Sequence, residues 1–545
     1  MAKLYNKEIL SGNNAQISLL KGVNELANAV KSTLGPCGRN VIIDIKDHVP
    51  IITKDGVTVA NSVKFENTFE NMGAQLVKQV SSKANSEAGD GTTTSTVLAQ
   101  AILMNNFNYR KNKSSYTNPI QIQRGISHAV NDVVQGLKDI AIPVTDSEQI
   151  ERVATISANG DTKVGSILSQ AIDSVGKDGV ITLETTLAPN TSLSVVNGIE
   201  FDRGYLSPYF VNKDKKVLFD DSLILFYHGN IDDINEIVPI LEHVNKNKTP
   251  LLIVCDNISD IAMNTIIQNV SKGVFKAAVV KSPYHGEYGQ QVMEDIATLT
   301  NGVVFSETKG DKLTNITVSD LGKAKSIKVT EHKTTVIGHE LPEVEQRKQE
   351  RIDSILAQSE DEELSSEDKQ LLKNRAGSLS SGVAVIKVGA KTDIELNELY
   401  DRIEDALNAT RAAVQEGIVA GGGTALAYVS SKLKKALSED KLDLTDQELL
   451  GYEFLLNACF APMRQIANNA GYEAVKVEHD LNIGFNPLTG EYVNMVDIGV
   501  IDPVKVTRCA LESAASIAGT MVTTSVMIGI SKDDDTDDFD YSFSN

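Results

Sequence analysis

The sequence predicts a multidomain α/β protein with helix-rich ends and an α/β middle third. Three observations carry this. At 545 residues the chain is too long for one core, and length alone suggests roughly three or four domains. Near both ends apolar residues recur at helical spacing, as Met72, Leu76, Val77 and Val80 do within residues 69–88. From about 197 to 383 they come instead as short runs separated by helical stretches, which suggests parallel strands in an α/β layer.

Taken in order, residues 1–139 read as mostly helical, interrupted by the short apolar runs 41–45 and 51–53. These read as strands, with a tight turn at Asp55-Gly56. Helix 69–88 leads into Gly89-Asp90-Gly91-Thr92-Thr93-Thr94, and helix 95–104 follows with Val97, Leu98, Ala101 and Ile102. In the middle third, 251–254, 277–280 and 303–305 read as buried strands. Helix 234–244 has apolar residues at 234, 237, 238, 240, 241 and 244, spread over roughly 160° of its surface, wider than one core stripe requires. Helix 258–270 is similarly generous, with Ile261, Met263, Ile266, Ile267 and Val270. Tyr205, Leu206, Tyr209 and Phe210 cluster nearby, around Gly204 and Pro208. Pattern alone reads these as two ordinary buried helices. The charged segment 343–376, with Ile352, Ile355, Leu356, Leu371 and Leu372, reads as a solvated helical pair. After Asp393 the chain is helical again, broken by Ala420-Gly421-Gly422-Gly423. Residues 532–545 hold six aspartates and read as a disordered acidic tail. No period of 20 to 50 residues repeats, which argues against a solenoid.

Composition narrows the function classes. The balance of 52 basic against 73 acidic residues, net −21, argues against nucleic acid or an anionic membrane as main partner. The four cysteines, Cys37, Cys255, Cys459 and Cys509, form no CxxC pair, so neither a disulfide framework nor a zinc site is indicated. A reducing, cytoplasmic setting is the simplest expectation, and the first residues show no export signal. The most apolar late segment, 514–530, is short for a membrane span and carries several Ser and Thr.

The stretch 89–94 has the spacing of a metal–phosphate cradle. Two close glycines let the backbone approach a ligand, and the next helix points free N–H groups at the turn. Three hydroxyls add donors, and Asp90 offers the hard oxygen that phosphate-bound Mg²⁺ takes. Three further turns are weak singly and stronger jointly: Thr33-Leu34-Gly35-Pro36-Cys37-Gly38, Thr53-Lys54-Asp55-Gly56 and Gly421-Gly422-Gly423-Thr424. There is no GxxxxGK[ST], so the chain is not a P-loop enzyme.

From about residue 2 to 531 the chain resembles a group I chaperonin, the GroEL-type ring ATPase. The carrying segments are TLGPCGRNV at 33–41, ITKDGVTVA at 52–60, FENMGAQLVKQVSSKANSEAGDGTTT at 69–94, TISAN at 155–159, FDRGYLSPYF at 201–210, DIATLT at 295–300, GVAVIKVGA at 382–390, IEDALNATRAAVQEGIVAGGG at 403–423 and IDPVKVTR at 501–508.

The resemblance implies a GroEL-like fold with discontinuous domains. These are an equatorial ATPase domain at 1–139 and 417–531, an intermediate hinge domain at 140–196 and 384–416, and an apical α/β domain at 197–383. It implies ATP with Mg²⁺ and K⁺. Thr33, Leu34, Gly35 and Pro36 would wrap the phosphates together with Asp90, Gly91, Thr92, Thr93 and Thr94, with Asp90 on Mg²⁺. Gly422 would lie against the nucleotide, and Asn486 and Asp502 would hold its adenosine end. The carbonyls of Thr33 and Lys54 and the hydroxyl of Thr93 would hold K⁺. Asp405 would orient the attacking water, with Asp55 as a second acid beside it. Periodicity alone reads Asp405 as a solvated helix carboxylate, with Ile403, Ala406 and Leu407 burying the other face. If it is catalytic, a separate domain must swing it onto the nucleotide.

Implied partners are non-native client proteins, gripped through Tyr205, Tyr209, Phe210, Val238, Leu241, Met263 and Ile267. A homo-oligomeric seven-membered ring is implied, single or double, with a co-chaperonin lid as an optional partner and no nucleic acid or membrane. The sequence departs from the family at Cys37, Ser86, Gln268, Asp393 and Pro487-Leu488, in the longer, polar 105–117, in the shorter loop 476–484, and in the aspartate tail. The family's ring-to-ring contacts fall near 105–117, Arg464 and Glu473, so a weakened inter-ring contact is expected. The tail would project into the closed end of the cavity, where a solvated tail with no role is the default reading and a charged lining the alternative. Two rivals are weighed: a ring-forming scaffold or adhesion protein that has lost folding function, and a small-molecule kinase. The first would show loss of Asp90, Asp405 or the groove, and all are present; the second would need an acceptor site, and no motif suggests one.

Overall fold

A computed structural model describes residues 7–530 apart from 45–49, 113–116, 159, 177–178, 187, 214, 362–364, 440–442, 474–475 and 477–479. The acidic tail, Ile45 and part of the 105–117 stretch therefore lie outside the described residues. The chain divides into two compact units, Met1–Leu168 with Asp401–Asn545, and Ser169–Tyr400.

The first unit is a helical body. Its core is built by helices Gly12–Lys31, Thr68–Ala88, Thr92–Asn112, Pro119–Asp139, Asp446–Ala458 and Val504–Thr523. Their starts are written locally. The Asn67 side chain accepts from the Phe69 and Glu70 N–H groups, and Asn118 does the same ahead of Pro119. Thr445 and Glu448 form a reciprocal capping box. Leu26, Leu98, Ile122, Ile126 and Leu137 are fully buried, each worth about 1.5–3 kcal/mol against exposure. Two helix pairs touch backbone to backbone. A Cβ on Gly22 would lie 1.8 Å from the Glu70 carbonyl oxygen, and one on Gly125 would lie 1.8 Å from that of Glu448.

Short antiparallel pairs decorate this body: Lys7–Ser11 with Val526–Ile530, Val41–Ile43 with Ile51–Thr53, Ile418–Ala420 with Ile501–Pro503, and Ile483–Asn486 with Glu491–Asn494. The expected tight turn at Asp55-Gly56 is corrected. Asp55 is the N-cap of helix Gly56–Ser62, and its carboxylate accepts from the Val57 N–H at 3.1 Å and the Thr58 N–H at 2.7 Å.

The second unit is built on a seven-stranded mixed sheet. Gly198–Phe201, Thr334–Gly338, Gly322–Val329, Val217–Ile231, Leu251–Ile258 and Ala277–Lys281 follow in that order, and Val304–Ser306 adds to Val217–Ile231. The parallel strands expected from sequence are present, but they make only half of the sheet; Gly322–Val329 and its neighbours beyond pair antiparallel. A smaller sheet places Val383–Gly389 parallel to Val180–Thr186 and antiparallel to Ser192–Val196.

The helix expected over 234–244 splits into a 3₁₀ turn, Ile234–Ile237, and helix Val238–Asn247. Pro239, with no N–H, is tolerated only in the first turn, so it sets where the helix starts. The helical pair expected to be solvated, Pro342–Ser359 and Ser366–Ser381, buries Val344, Ile352, Ile355, Ala376 and Leu379, whereas Leu356 and Leu371 are exposed. It also buries Arg375, which bonds to the buried Asp295 carboxylate.

Candidate functional site

Helix Thr68–Ala88 ends on Gly89 at φ +73°, and Gly91 follows at φ +91°, both in the left-handed region that glycine enters freely. The chain therefore turns sharply between two helices. Helix Thr92–Asn112 begins at once, three residues earlier than its apolar pattern implies, so Thr92, Thr93 and Thr94 sit in its first turn. Asp90 turns back, its carboxylate accepting the Gly91 N–H at 2.5 Å.

Other segments close on this turn. A Cβ on Gly56 would lie 2.3 Å from Thr93 Oγ1, so the Asp55 cap abuts the threonines. A Cβ on Gly89 would lie 2.6 Å from the Cβ of Asn408, one turn beyond Asp405 on helix Asp393–Glu416. Strand pairing sets Val419 opposite Asp502, and Gly422 and Gly423 donate N–H bonds to the Asp502 carboxylate. The first loop is held from outside. Asn469 Nδ2 donates to the carbonyls of Lys31 and Leu34, each at 2.9 Å, and the Ile466 side chain packs on Gly35, 3.1 Å from where a Cβ would sit.

Four carboxylates thus share one electrostatic environment. Burial first, then Asp90 and Asp55, push Asp405 up to about 7. Burial and Asp90 push Asp502 up to about 6, against the two glycine N–H bonds. Asp90 is raised by burial and by Asp55, with the Gly91 N–H opposing. Asp55, Asp90 and Asp405 all keep open surface, so they line a recess within the protein mass rather than a sealed core. Crowded carboxylates of this kind call for a cation, and a single Asp beside free helix N–H groups suits Mg²⁺ carried on phosphate oxygens. Among the described residues no group of three or more His, Cys, Asp or Glu forms a cage that would hold a metal on protein ligands alone.

The structure therefore brings together Asp55, Asp90, Gly91, Thr92, Thr93, Thr94, Asp405, Gly422 and Asp502. Asp405 lies within the electrostatic reach of Asp90 in this structure. Thr33 is buried with its hydroxyl on the Val30 carbonyl, and Leu34, Gly35 and Pro36 follow on the loop that Asn469 pins. The Asn486 side-chain oxygen accepts the Leu488 N–H within its own hairpin, whose Gly484 packs against Thr424 beside the glycine loop. Lys54 is exposed, between strand Ile51–Thr53 and the Asp55 cap. Sequence reasoning missed Asn408, Ile466 and Asn469. No local signal marks them, because each acts across more than 300 residues of chain.

The expected client surface divides in two. Tyr209 is 69% exposed, Tyr205, Val238, Met263 and Ile267 are half-buried, and the Pro208–Phe210 turn packs on helix Asp260–Ser271. Phe210 and Leu241 are corrected: at 2% and 8% exposure they belong to the core. Ile261, 78% exposed on helix Asp260–Ser271, is the apolar residue that this surface adds.

A family model described as the TCP-1/cpn60 chaperonin family matches residues 26–531. The chain belongs to that family. Its fold is similar to that of the chaperonin gp146 from the bacteriophage EL 2 (Pseudomonas aeruginosa), in two crystal forms solved in the presence of ATP-BeFx. The first has a TM-score of 0.68 and the second 0.61, each at 23% identity and covering 95% of this chain and 98% of that one. The fold is thus that of a GroEL-like chaperonin, and the low identity marks a divergent member. Among the described residues of this chaperonin no helix is long and apolar enough to cross a membrane.

Proposed function

We propose that this chaperonin binds and hydrolyses ATP, captures non-native proteins on an apolar surface of its α/β unit, and folds them inside a homo-oligomeric ring. The observation that carries the reading is the meeting of Asp55, Asp90, Asp405 and Asp502 around a glycine–threonine turn at a helix start. Phosphoryl transfer asks mainly for positioning and charge compensation, and this recess offers both. Bound Mg²⁺ would compensate phosphate charge. Asp90 would hold it, the N–H and hydroxyl groups of Thr92, Thr93 and Thr94 would fix phosphate oxygens, and Asp405 would orient a water. Gly422 lies where its N–H already serves Asp502, so Asp502 shapes the glycine loop against which a nucleotide rests. K⁺ on the carbonyls of Thr33 and Lys54 and the Thr93 hydroxyl, and Asn486 at the adenosine end, belong to the same proposal. So does the reading of the three-stranded sheet of the second unit as part of a hinge domain. ATP-driven refolding of a denatured client, together with electron microscopy with and without ATP, tests the proposal. A chain that forms no ring and leaves refolding unchanged overturns it.

The ring is supported by unpaired surface. The hairpin Val41–Ile43/Ile51–Thr53 exposes Ile42, Ile51 and Ile52, and the pair Lys7–Ser11/Val526–Ile530 exposes Ile9, Val526, Ile528 and Ile530. Two-stranded sheets are marginal alone and leave free edges. Two different apolar sheet surfaces on one unit suit a heterologous contact, which closes into a ring. Ile42→Asp with Ile52→Asp is expected to leave folded monomers by native mass spectrometry; intact rings would refute the role of the hairpin.

For clients, Tyr209→Ser with Ile261→Ser is expected to weaken capture of a denatured protein by about tenfold or more. Each apolar contact is worth about 1.5–3 kcal/mol at most. Both side chains are exposed, so folding and basal ATPase should be spared. Undiminished suppression of aggregation would remove this surface from the mechanism.

A further inference from the structure

Where helix Gly12–Lys31 runs out into the loop toward strand Val41–Ile43, the backbone carbonyls are almost all taken. The Lys31 carbonyl accepts the Leu34 N–H at 3.2 Å, that of Ser32 accepts the Arg39 N–H at 2.9 Å, and that of Gly35 accepts the Gly38 N–H at 3.0 Å. The Leu34 carbonyl takes one hydrogen of Asn469 Nδ2 at 2.9 Å, and Lys31 takes the other at 2.9 Å. Among the described residues, the Thr33 carbonyl is the one in 31–35 that accepts no hydrogen bond, although Thr33 is only 8% exposed. Buried backbone carbonyls nearly always have a partner. A Cβ on Gly38 would lie 2.0 Å from this oxygen, so the chain comes back against it with a glycine.

Asn469 is itself held in place. It closes helix Ala461–Asn469, and its Oδ1 accepts Gln465 Nε2 at 2.8 Å, which fixes the amide with both Nδ2 hydrogens on the loop. Ile466 of the same helix packs on Gly35. The turn of the loop is thus imposed by a residue 435 positions along the chain, which pairs the carbonyls on either side of Thr33 and leaves that of Thr33 free. A carbonyl dipole kept free inside the protein suits a cation that sheds its water for backbone oxygens, and so fits the K⁺ of the proposed site.

We infer that Asn469 is a positioning residue for the proposed nucleotide site: by occupying the Lys31 and Leu34 carbonyls it fixes the turn in which the Thr33 carbonyl is left for a monovalent cation. Without the two bonds the Leu34 carbonyl also loses its partner, and the loop is free to turn the Thr33 oxygen away. The role rests on the reading of 33–36 as a nucleotide loop with Thr33 on K⁺; the clamp itself does not.

Asn469→Leu keeps the shape of the side chain and removes both donors, whereas Asn469→Ala removes the shape as well. Hydrogen exchange of the full-length protein without nucleotide reads the clamp. Residues 34–39 should exchange at least about tenfold faster in both variants, while helix Pro119–Asp139 keeps its wild-type rates. Calorimetric titration with ADP and MgCl₂, in KCl and in NaCl, reads the positioning. Wild type should bind ADP at least about threefold more tightly in KCl, and Asn469→Leu should lose that preference together with at least about fivefold of its affinity in KCl. Unchanged exchange in Asn469→Leu overturns the clamp. A loss of ADP affinity in Asn469→Ala that Asn469→Leu does not share makes Asn469 a space-filler and overturns the positioning role, as does faster exchange with ADP affinity and salt preference intact. Equal wild-type affinity in the two salts overturns the place of the cation at Thr33. A wild type that binds no ADP overturns the nucleotide reading and the role that rests on it, and hydrogen exchange then decides the clamp alone.

Discussion

Asp405→Ala will hydrolyse ATP at least about a hundredfold more slowly than wild type while binding it nearly as well. Removing a residue that positions or deprotonates an attacking water costs about 10²–10⁴ in rate, and the proposed role of Asp405 is on that water rather than on the nucleotide. Asp90→Ala, the proposed Mg²⁺ ligand, should lose hydrolysis and Mg-ATP affinity together. The same Asp405 substitution carries a second signature. Its folded-state value, about 7, lies above the ordinary 3.8, so its contribution to stability is fully present below the unfolded value and is lost as pH rises through about 7. Above that pH, without Mg²⁺, the ionised side chain repels Asp90 and Asp55, and Asp405→Ala should raise the Tm. An acid kept for structure would lower it. Single-turnover hydrolysis, ATP titration and metal-free melting at pH 8 check all three; a wild-type rate for Asp405→Ala removes Asp405 from the chemistry.

The largest expected loss of stability is in the second unit. Asp295 is 1% exposed, on helix Gly286–Thr300. Arg375 grips it with both arms, Nε to Oδ2 at 2.8 Å and Nη2 to Oδ1 at 2.9 Å, and Arg351 Nε reaches Oδ1 at 2.8 Å. One buried carboxylate thus ties helices Pro342–Ser359 and Ser366–Ser381 to the helix beneath them. Asp295→Ala leaves Arg375 buried without its charge partner, which costs about 3–5 kcal/mol. Hydrogen exchange of the two helices should accelerate accordingly, before the sheet core responds. Pairing Asp295→Leu with Arg375→Met should recover most of the loss, since an apolar pair leaves no orphan charge. Unchanged protection in Asp295→Ala would show that apolar packing alone holds the helices.

The sequence by itself determined the glycine–threonine turn, because left-handed glycines are a property of a few neighbouring residues; the caps at Asn67, Asn118 and the Thr445–Glu448 box are equally local, although apolar periodicity did not single them out. It also determined the family and most of the acids of the recess, through motifs that read residue by residue. It misread whatever depends on long-range partners. Pro239 cut a helix whose apolar pattern runs on into the preceding 3₁₀ turn. Phe210 and Leu241 share the composition of their exposed neighbours, and only the packing of the sheet beneath buried them. The charged segment 343–376 read as solvated because a charge buried by a distant partner has no local mark; Asp295 lies 80 residues from Arg375. Asp405, solvated by its own periodicity, became part of a carboxylate cluster only when tertiary structure set Asn408 against Gly89 and so brought Asp405 beside Asp90. Periodicity records which face of an element is apolar; it carries no record of what that face meets, and the charges that matter in this chain are defined by that meeting.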